Sequence, residues 1–436
     1  MCISIFLRKI AENKKHMNRI VIIGNGFDLA HGLKTSYKDF IDWYWEQKVN
    51  LMCTTVSNVI TDILCSLKTP ENEYWNAFAF NNGYFRLTSP RKVVDFVLDK
   101  SNGFSVEKSA FFDIITKSIE MKGWVDIENE YYKLLADQSS FGAYDEHPEK
   151  LNEELDYIIQ NLTAYLSYIE RTQISDNIKN AKIQKLIFGP INQQDVAVNE
   201  QSRYHKMLES RCHTQYLDEN KDIIIDKFGY NEQDIKNAKQ FISSSEMSIY
   251  YGGIKSIEQE EIPAPLLLPN RILLLNFNYT HTADIYLPEC NLMTVNHIHG
   301  ELLDPSSIIF GYGDELDDNY KFLLNKNDNS YLTNIKSIKY LEKDCYRDLL
   351  RFIESDAYQI YIMGHSCGNS DRTLLNTLFE HKNCVSVKPF YYKDLMKNTD
   401  NYTDIVQNIS RNFTDMKLMR DRVVNKTYCE PFSIRE

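Results

Sequence analysis

The chain has 436 residues, of which 43% are hydrophobic, 25% charged and 12% aromatic. This composition is typical of a globular protein with a hydrophobic core, and it excludes collagen-like, disordered and disulfide-stapled chains. The 49 basic and 61 acidic side chains give a net charge of −12, which argues against a protein that coats nucleic acid or an anionic membrane, because neutralising phosphates requires clustered cations.

The first predicted elements are a buried strand, a glycine loop and a helix. The apolar run over 19–23 leads into the glycine-rich segment 24–32, and helical spacing of apolar residues follows over 37–48. This order is typical of the unit that opens a nucleotide-binding α/β sheet. Residues 1–16, which precede it, are predicted to be a disordered extension.

The middle of the chain is predicted to be helical, and the second half to alternate between strands and helices. Strand-like runs are rare over 51–265, where the segment 151–170 places apolar residues on one face of a helix. Strand signals return at four apolar runs, 272–275, 293–298, 359–363 and 385–390. Strands separated by helices indicate a parallel sheet.

We therefore predict the α/β class, with a Rossmann-like parallel sheet that is split by a large, mainly helical insertion. The α/β domain would comprise 17–50 and 266–400, and the helical insertion 51–265. The C-terminal tail, 401–436, is predicted to be a solvated helix because it is rich in Asn, Asp, Lys and Arg.

Cysteine spacing and hydropathy indicate the compartment. The nine cysteines are separated by long gaps and form no Cys-x-x-Cys pair, which favours reduced thiols in the cytoplasm over a zinc or disulfide framework. No apolar run approaches the roughly 18 residues that a membrane span needs. We expect a cytoplasmic protein with no membrane partner, and nucleic acid is not an expected partner.

The glycine-rich segment is the first candidate site. A strand that feeds a glycine loop and a helix exposes backbone N–H groups, and the positive end of the helix, to a phosphate. The candidate contacts are Gly24, Asn25, Gly26 and Gly32, although Leu29 stands where the common dinucleotide fingerprint has its third glycine. The alternative interpretation is a plain tight turn.

Polar side chains also end the next two predicted strands. Asn276 and Asn278 are two residues apart, so both amides project to one side of the strand. There they can hold a water or a sugar hydroxyl, or they can cap the following turn.

The second of these strands ends in His297-Ile-His299. His299 suits a general base near neutral pH, a hydrogen-bonded structural residue or a metal ligand. A metal ion would need both histidines and further ligands such as His281 or Asp304, and we predict no metal site.

The segment Gly364–Gly368, Gly-His-Ser-Cys-Gly, has the form of the nucleophile elbow of α/β-hydrolases. That fold supplies its histidine after an acid, but the only histidine beyond Ser366 is His381, in the very next predicted helix. The chain order therefore argues against an esterase. A second glycine loop, with Asp371 as the cap of the next helix, better suits binding the far half of a dinucleotide. The binding candidates here are Gly364, His365, Ser366 and Asp371.

Three acids, Asp126, Glu128 and Glu130, begin a predicted helix after Gly123-Trp124. The helix dipole favours acids in a first turn and explains most of this pattern. A supporting role for these acids in a site is left open.

Together these motifs resemble the AbiH family of bacterial phage abortive-infection proteins, and they occur in that family's order. The segments that carry the resemblance are 22–33, 124–128, 276–280, 297–300 and 362–366.

The chain is also similar, more distantly, to sirtuin-like NAD-binding domains. Gly24, Gly26 and Gly32 have the glycine spacing of that family, and Asn278 and His299 match its strand-end motifs. The resemblance implies that Asn278 and His299 lie at the nicotinamide ribose and that the glycine loops hold the dinucleotide. The zinc ribbon of sirtuin deacetylases has no counterpart here, so protein deacetylation is not expected.

The two resemblances imply a phage-defence effector, a NAD glycohydrolase that cleaves the nicotinamide–ribose bond when triggered. Asn278 would position water, and His299 would accept its proton or that of a ribose hydroxyl. Asp28 would stabilise the cationic ribose or orient its hydroxyls. NAD or a related nucleotide is expected as the substrate, with no further cofactor, and a phage-derived trigger and self-association are further expected interactions. The alternatives are a metal-dependent nuclease or phosphohydrolase that uses His297 and His299, and a non-enzymatic nucleotide-binding sensor of infection.

Overall fold

Ten strands and seventeen helices are found in the part of the chain that the computed structural model describes. The described residues are 16–55, 57–70, 90–123, 125–137, 144, 147–252, 261–287 and 292–435. The predicted extension, except His16, lies outside the described residues, and so does Trp124 of the predicted acidic helix start.

The strands and helices are numbered here in chain order. The strands are β1 Met17–Ile23, β2 Val59–Thr61, β3 Cys65–Lys68, β4 Ser105–Lys108, β5 Ile272–Asn276, β6 Met293–His297, β7 Ala357–Met363, β8 Cys384–Asp394, β9 Thr399–Asp400 and β10 Pro431–Arg435. The helices are α1 Asn25–Ala30, α2 Tyr37–Thr55, α3 Pro90–Leu98, α4 Ala110–Lys122, α5 Ile127–Leu135, α6 Pro148–Gln173, α7 Ala181–Phe188, α8 Gln201–Arg211, α9 Thr214–Glu219, α10 Lys221–Asp226, α11 Glu232–Gly252, α12 Asp318–Asn325, α13 Lys336–Lys339, α14 Cys345–Ser355, α15 Arg372–Phe379, α16 Tyr402–Arg411 and α17 Met416–Arg422. Within the described ranges, none of the helices combines the length and the apolar character needed to cross a membrane.

Residue contacts divide the chain into two compact units. Unit 1 consists of Met1–Gly32, Ile174–Ile308 and Tyr340–Glu436, and unit 2 of Leu33–Gln173 and Ile309–Lys339. The predicted domain limits lie at residues 50, 265 and 400 and differ from the limits of these units. The predicted division into domains stays a prediction.

A seven-stranded, mostly parallel sheet lies in unit 1. Its strands follow the order β6-β5-β1-β7-β8-β10, and the short β9 pairs with β8. Every pair along the main order is parallel, and only the β8–β9 pair is antiparallel. The predicted α/β class and the four strands predicted after residue 265 are therefore confirmed.

The central strands are apolar because both of their faces are covered. All seven residues of β1 and all seven of β7 are buried, as is usual for parallel strands between layers of helices. The one cation in β1, Arg19, donates to Oε1 of Gln359 at 2.7 and 3.0 Å. It also donates to the carbonyls of Ile187 at 2.6 Å and Gly189 at 2.8 Å, at the end of α7. These bonds satisfy carbonyl groups that a helix end leaves without partners.

The end of the chain differs from the solvated helix that the sequence predicts after residue 400. Two helices, α16 and α17, are followed by β10, which pairs in parallel with β8. Ile405 and Ile409 of α16 are buried, so this segment packs into unit 1. The prediction was wrong because the few apolar residues here are spaced among many polar ones.

Unit 2 combines helices with a small antiparallel sheet. The sheet has the order β2-β3-β4, and none of its strands is predicted by the sequence, because each is only three or four residues long. The predicted helix over 151–170 is confirmed by α6, in which Leu155, Ile158 and Leu162 are buried on one face.

Candidate functional site

Four loops leave the parallel sheet of unit 1 at the same edge. Ile23 is in register with Asn276 on one side and with Met363 on the other, and Asn276 is in register with His297. Because the four strands are parallel, the loops that follow these residues begin side by side at the carboxyl ends of the strands. These loops and the short helix α1 carry all the residues that the sequence predicts for the nucleotide site.

Two of these loops, the glycine loops, pack directly against each other. The N–H of Gly26 donates to the carbonyl of Gly364 at 2.9 Å, and the N–H of Gly24 donates to the carbonyl of Met363 at 3.3 Å. A Cβ atom at Gly364, whose φ is +77°, would lie 2.1 Å from the nitrogen of Phe27, and one at Gly24 would lie 2.6 Å from the Cα of His365. The glycines therefore let two backbones approach closely. Phosphate binding by the N–H groups of Gly24 and Gly26 would require these backbone bonds to break.

The other two candidates of the first glycine loop lie at the surface. Asn25 is the exposed first residue of α1. Gly32 is exposed, has φ +79°, and its N–H bonds to the carbonyl of Leu29 at 3.0 Å. It is thus a glycine in the left-handed conformation that ends a short helix.

The two asparagines after β5 have different partners. Asn276 caps the turn, since its Oδ1 accepts from the N–H of Asn278 at 3.0 Å and its Nδ2 donates to the carbonyl of Thr280 at 3.0 Å. Asn278 is half-buried, and its Nδ2 donates to the carbonyl of Gly24 at 3.1 Å. Its Oδ1 accepts no hydrogen bond from the described residues, so this oxygen is available to a water or a hydroxyl.

Asp28 connects the loop after β1 to the loop after β5. It is 1% exposed, and its Oδ2 accepts from the hydroxyl of Thr280 at 2.6 Å. One turn later, His31 has Nδ1 2.7 Å from the carbonyl of Phe27 and Nε2 2.6 Å from the hydroxyl of Tyr286. Burial lowers the pKa of His31, so its neutral ring donates to the carbonyl through Nδ1 and accepts from Tyr286 at Nε2.

A buried carboxylate lies between two histidines at the centre of this edge. Oδ1 of Asp371 lies 3.2 Å from Nε2 of His299, and its Oδ2 lies 3.5 Å from Nε2 of His365. The three residues are 4–7% exposed. The N–H of Cys367 donates to Nδ1 of His365 at 3.0 Å, which leaves the hydrogen of the neutral His365 ring on Nε2, towards Asp371. We call these three residues the His–Asp–His cluster.

Two aromatic residues surround the cluster. The ring of Phe277 lies 4.9 Å from that of His299 and 4.3 Å from that of His365, measured between ring centroids. The hydroxyl of Tyr340 lies 3.1 Å from Nε2 of His299. Neither residue is predicted from the sequence as part of the site. The position of Phe277 between two strand-end asparagines was a usable signal, whereas nothing in the local sequence marks Tyr340.

Asp371 and its loop differ in detail from the prediction. Asp371 is the N-cap residue of α15, as predicted, but in the described structure its side chain makes no capping hydrogen bond. Ser366 is exposed, while Cys367 is fully buried with φ +53°. Burial raises the pKa of the Cys367 thiol, so this cysteine is not an activated nucleophile. His381 contacts Glu354 at 3.1 Å, in agreement with the argument against a Ser–His esterase pair.

His297 and His299 separate instead of sharing one ligand. His297 lies with His281 and Glu301 in a half-buried group whose ligand atoms, one from each residue, are all within 4.8 Å of one another. Among the described residues, this is the group of three potential metal-ligand side chains whose ligand atoms lie this close together. Asp304, the other ligand considered from the sequence, lies instead 3.2 Å from Nζ of Lys343.

The three acids at the start of α5 have partners within unit 2. Asp126 caps the helix, because its side chain accepts from the N–H of Asn129 at 3.0 Å. Glu128 accepts from Nζ of Lys336 and from the N–H of Gly311, both at 2.9 Å. Glu130 forms a surface pair with a lysine one turn later. Their observed roles are therefore capping and ion pairing.

The fold and the site together define a class: an α/β protein with a mostly parallel sheet whose strand-end loops carry a buried His–Asp–His cluster. The family model described as "Bacteriophage abortive infection AbiH" matches residues 20–393. Because the match covers most of the chain, this protein belongs to the AbiH family, and membership suggests a role in phage abortive infection. Searches of curated proteins and of solved structures gave no match.

Proposed function

We propose that this protein is a phage-defence effector that hydrolyses NAD at the nicotinamide–ribose bond when infection triggers it. Family membership supports the defence role. The chemistry rests on one observation, the 3.2 Å contact between Nε2 of His299 and Oδ1 of Asp371 at the carboxyl edge of the sheet. A histidine beside a buried carboxylate is suited to accept a proton, because the carboxylate stabilises the imidazolium that forms.

The strand order supports a nucleotide as the ligand. Counted along the chain, the six parallel strands of unit 1 lie in the order 3-2-1-4-5-6, which is that of Rossmann-like sheets. In such sheets the ligand lies outside the carboxyl ends of the strands, where the order reverses, which here is between β1 and β7. We propose a Rossmann-like sheet interrupted in sequence by unit 2, with the sirtuin-like manner of binding NAD.

The proposed contacts with the nucleotide are to groups that are exposed to solvent in the two glycine loops. The N–H groups of Gly24 and Gly26 are engaged with the second glycine loop, so the phosphates would bind exposed groups beside them. Asn25 and Ser366 are exposed, one in each loop. Gly32 and Gly364 shape these loops, and His365 acts on the ligand through Asp371.

The proposed reaction is NAD plus water giving nicotinamide, ADP-ribose and a proton. Nicotinamide leaves as a neutral molecule with the electron pair of the C–N bond, and positive charge develops on the ribose. Oδ1 of Asn278 would orient the attacking water, and His299 would accept its proton. The buried carboxylate of Asp28 would stabilise the developing positive charge, since electrostatic stabilisation is strong in a site that excludes water.

The test is the NAD content of cells before and after phage challenge, measured by mass spectrometry. Cells would carry the intact protein, His299→Ala, or the control His381→Ala, which removes a histidine whose partner is Glu354. We expect NAD to fall and ADP-ribose or nicotinamide to rise after infection with the intact protein and the control. We expect no such change with His299→Ala at equal protein abundance.

Two other outcomes would contradict the proposal. Steady NAD in cells that still resist phage would exclude NAD hydrolysis as the defence activity. Full protection by His299→Ala, combined with loss of protection in a glycine-loop variant, would instead favour a non-enzymatic nucleotide-binding sensor.

A further inference from the structure

We infer that His281, His297 and Glu301 bind one divalent transition-metal ion of the Zn²⁺ class. The inference does not rest on NAD hydrolysis. One ligand atom from each of the three side chains lies within 4.8 Å of the other two, and all three residues are half-buried. A zinc ion binds such atoms at about 2.0–2.2 Å, so side-chain rotations that bring the three atoms around a common centre would form the site.

The backbone around these residues is held in place by its own hydrogen bonds. The N–H of Gly300 donates to the carbonyl of His297 at 3.0 Å, and the N–H of Glu301 donates to Oγ of Ser307 at 3.0 Å. Gly300 has φ +83°, and a Cβ atom there would lie 2.2 Å from the carbonyl oxygen of Ser307. The tight turn between His297 and Glu301 therefore returns the carboxylate to the histidines.

The side chains already face one another in pairs. Nε2 of His281 lies 2.8 Å from Oε2 of Glu301, and the rings of His281 and His297 have centroids 5.0 Å apart. Two half-buried imidazoles and one carboxylate thus place three potential ligand atoms close together, and a bound metal ion would hold them in one arrangement.

His297 has the surroundings of a metal-bound histidine. Its Nε2 lies 3.2 Å from Oδ2 of Asp284, and its Nδ1 lies 3.3 Å from Nδ2 of Asn276. Metal-binding histidines commonly hold a carboxylate on the ring nitrogen that does not bind the metal, which fixes the ring orientation. Asp284 supplies that carboxylate, and metal binding through Nδ1 would replace the 3.3 Å contact with Nδ2 of Asn276.

The ligand types select the class of metal. Two imidazoles and one carboxylate suit zinc and neighbouring first-row metals, whereas Mg²⁺ and Ca²⁺ prefer oxygen ligands alone. Three protein ligands also leave a fourth position for water or a substrate oxygen, as in catalytic zinc sites.

The test is metal binding by the purified full-length protein. After treatment with chelator, the protein would be dialysed against Zn²⁺ and its metal content measured by mass spectrometry, and Co²⁺ binding would be followed by visible absorption. We expect one equivalent of metal and a tetrahedral Co²⁺ spectrum. Asp284→Asn should weaken binding by about 10- to 100-fold, and His281→Ala or His297→Ala should weaken it more.

The matched control is His381→Ala, which removes the histidine of another His–Glu pair, the one with Glu354. It should bind metal as the unmodified protein does. Glu301→Gln is the mildest change within the site and keeps a hydrogen-bond acceptor beside His281, so it decides the outcome if a histidine variant fails to fold. Absence of stoichiometric binding in the unmodified protein, or unchanged binding in both Glu301→Gln and His281→Ala, would overturn the inference.

Discussion

Nε2 of His299 lies 3.2 Å from Oδ1 of Asp371, although the two residues follow strands that are not neighbours in the sheet. His299 follows β6 and Asp371 follows β7, and β5 and β1 lie between these strands. Three strand spacings of about 4.8 Å separate the two strand ends. The loops must therefore extend over the ends of β5 and β1, and Phe277, which follows β5, packs against the histidine rings between them.

The first prediction concerns Asp371→Asn. The amide keeps the shape of the side chain but removes the charge that stabilises a protonated His299, so NAD loss after infection should slow by about 10²–10⁴-fold, the usual contribution of a general base. The measurement is the rate of NAD loss in infected cells at equal protein abundance.

Thermal unfolding of the purified Asp371→Asn variant is the accompanying control. A transition temperature close to that of the unmodified protein, together with slow NAD loss, would assign the effect to chemistry. An unchanged rate of NAD loss would contradict the role given to Asp371.

The second prediction compares two glycines with nearly equal φ. Gly364 and Gly32 have φ of +77° and +79°, but a Cβ atom would lie 2.1 Å from Phe27 at Gly364 and would meet no atom within 4 Å at Gly32. Gly32→Ala should cost only the left-handed conformation, about 1–2 kcal/mol. Gly364→Ala should cost a further ~1–3 kcal/mol through overpacking.

Urea unfolding of the two glycine variants measures the difference. Equal losses of unfolding free energy would show that the glycine loops are not held together as closely as described.

The third prediction concerns the acids at the start of α5. Lys336 is fully buried against Glu128, whereas Lys133, the partner of Glu130, has a side chain that is 59% exposed. Glu128→Gln should lower the free energy of unfolding by up to about 3–5 kcal/mol, because it removes the carboxylate charge that lies 2.9 Å from the buried ammonium of Lys336. Glu130→Gln is the matched control and should cost at most about 1 kcal/mol.

Chemical unfolding of both variants at one pH provides the comparison. Similar small losses for the two would mean that the Lys336 ammonium finds another partner or water, and would exclude a stabilising role for the buried pair.

The fourth prediction is a pH dependence that involves His31. Burial lowers the pKa of His31 in the folded protein below the ordinary histidine value of 6.5, so the unfolded chain binds the proton more readily. The stabilisation is therefore fully present above the unfolded-state value and is lost as the pH falls below it, towards the lower pKa of the folded protein. His31→Gln, which cannot take up a proton, should lose less stability than the unmodified protein between about pH 7.5 and pH 5.5.

Unfolding transitions recorded at both pH values test this prediction. The absolute stability of His31→Gln at high pH will differ because the contacts with Phe27 and Tyr286 change. Only the loss between the two pH values matters, and equal losses in the two proteins would contradict the prediction.

The class of fold and the position of the loops follow from local patterns in the amino-acid sequence. Continuous apolar runs such as 19–23 and 359–363 are buried on both faces of a parallel sheet, and this requirement can be recognised locally. The asparagines and histidines that follow such runs were recognisable as strand-end residues for the same reason. The strands of unit 2 and β10 were missed, because short strands with mixed polarity have no clear local pattern.

Which of the polar side chains meet depends on the tertiary fold. The spacing of His297 and His299 left open one shared metal ion as an alternative. In the structure His297, at the end of β6, lies with His281 and Glu301, whereas His299, in the loop that follows, contacts Asp371. The partner of each histidine depends on the order of the strands and on the path of each loop. Both result from packing between residues far apart in the chain, which no local pattern encodes.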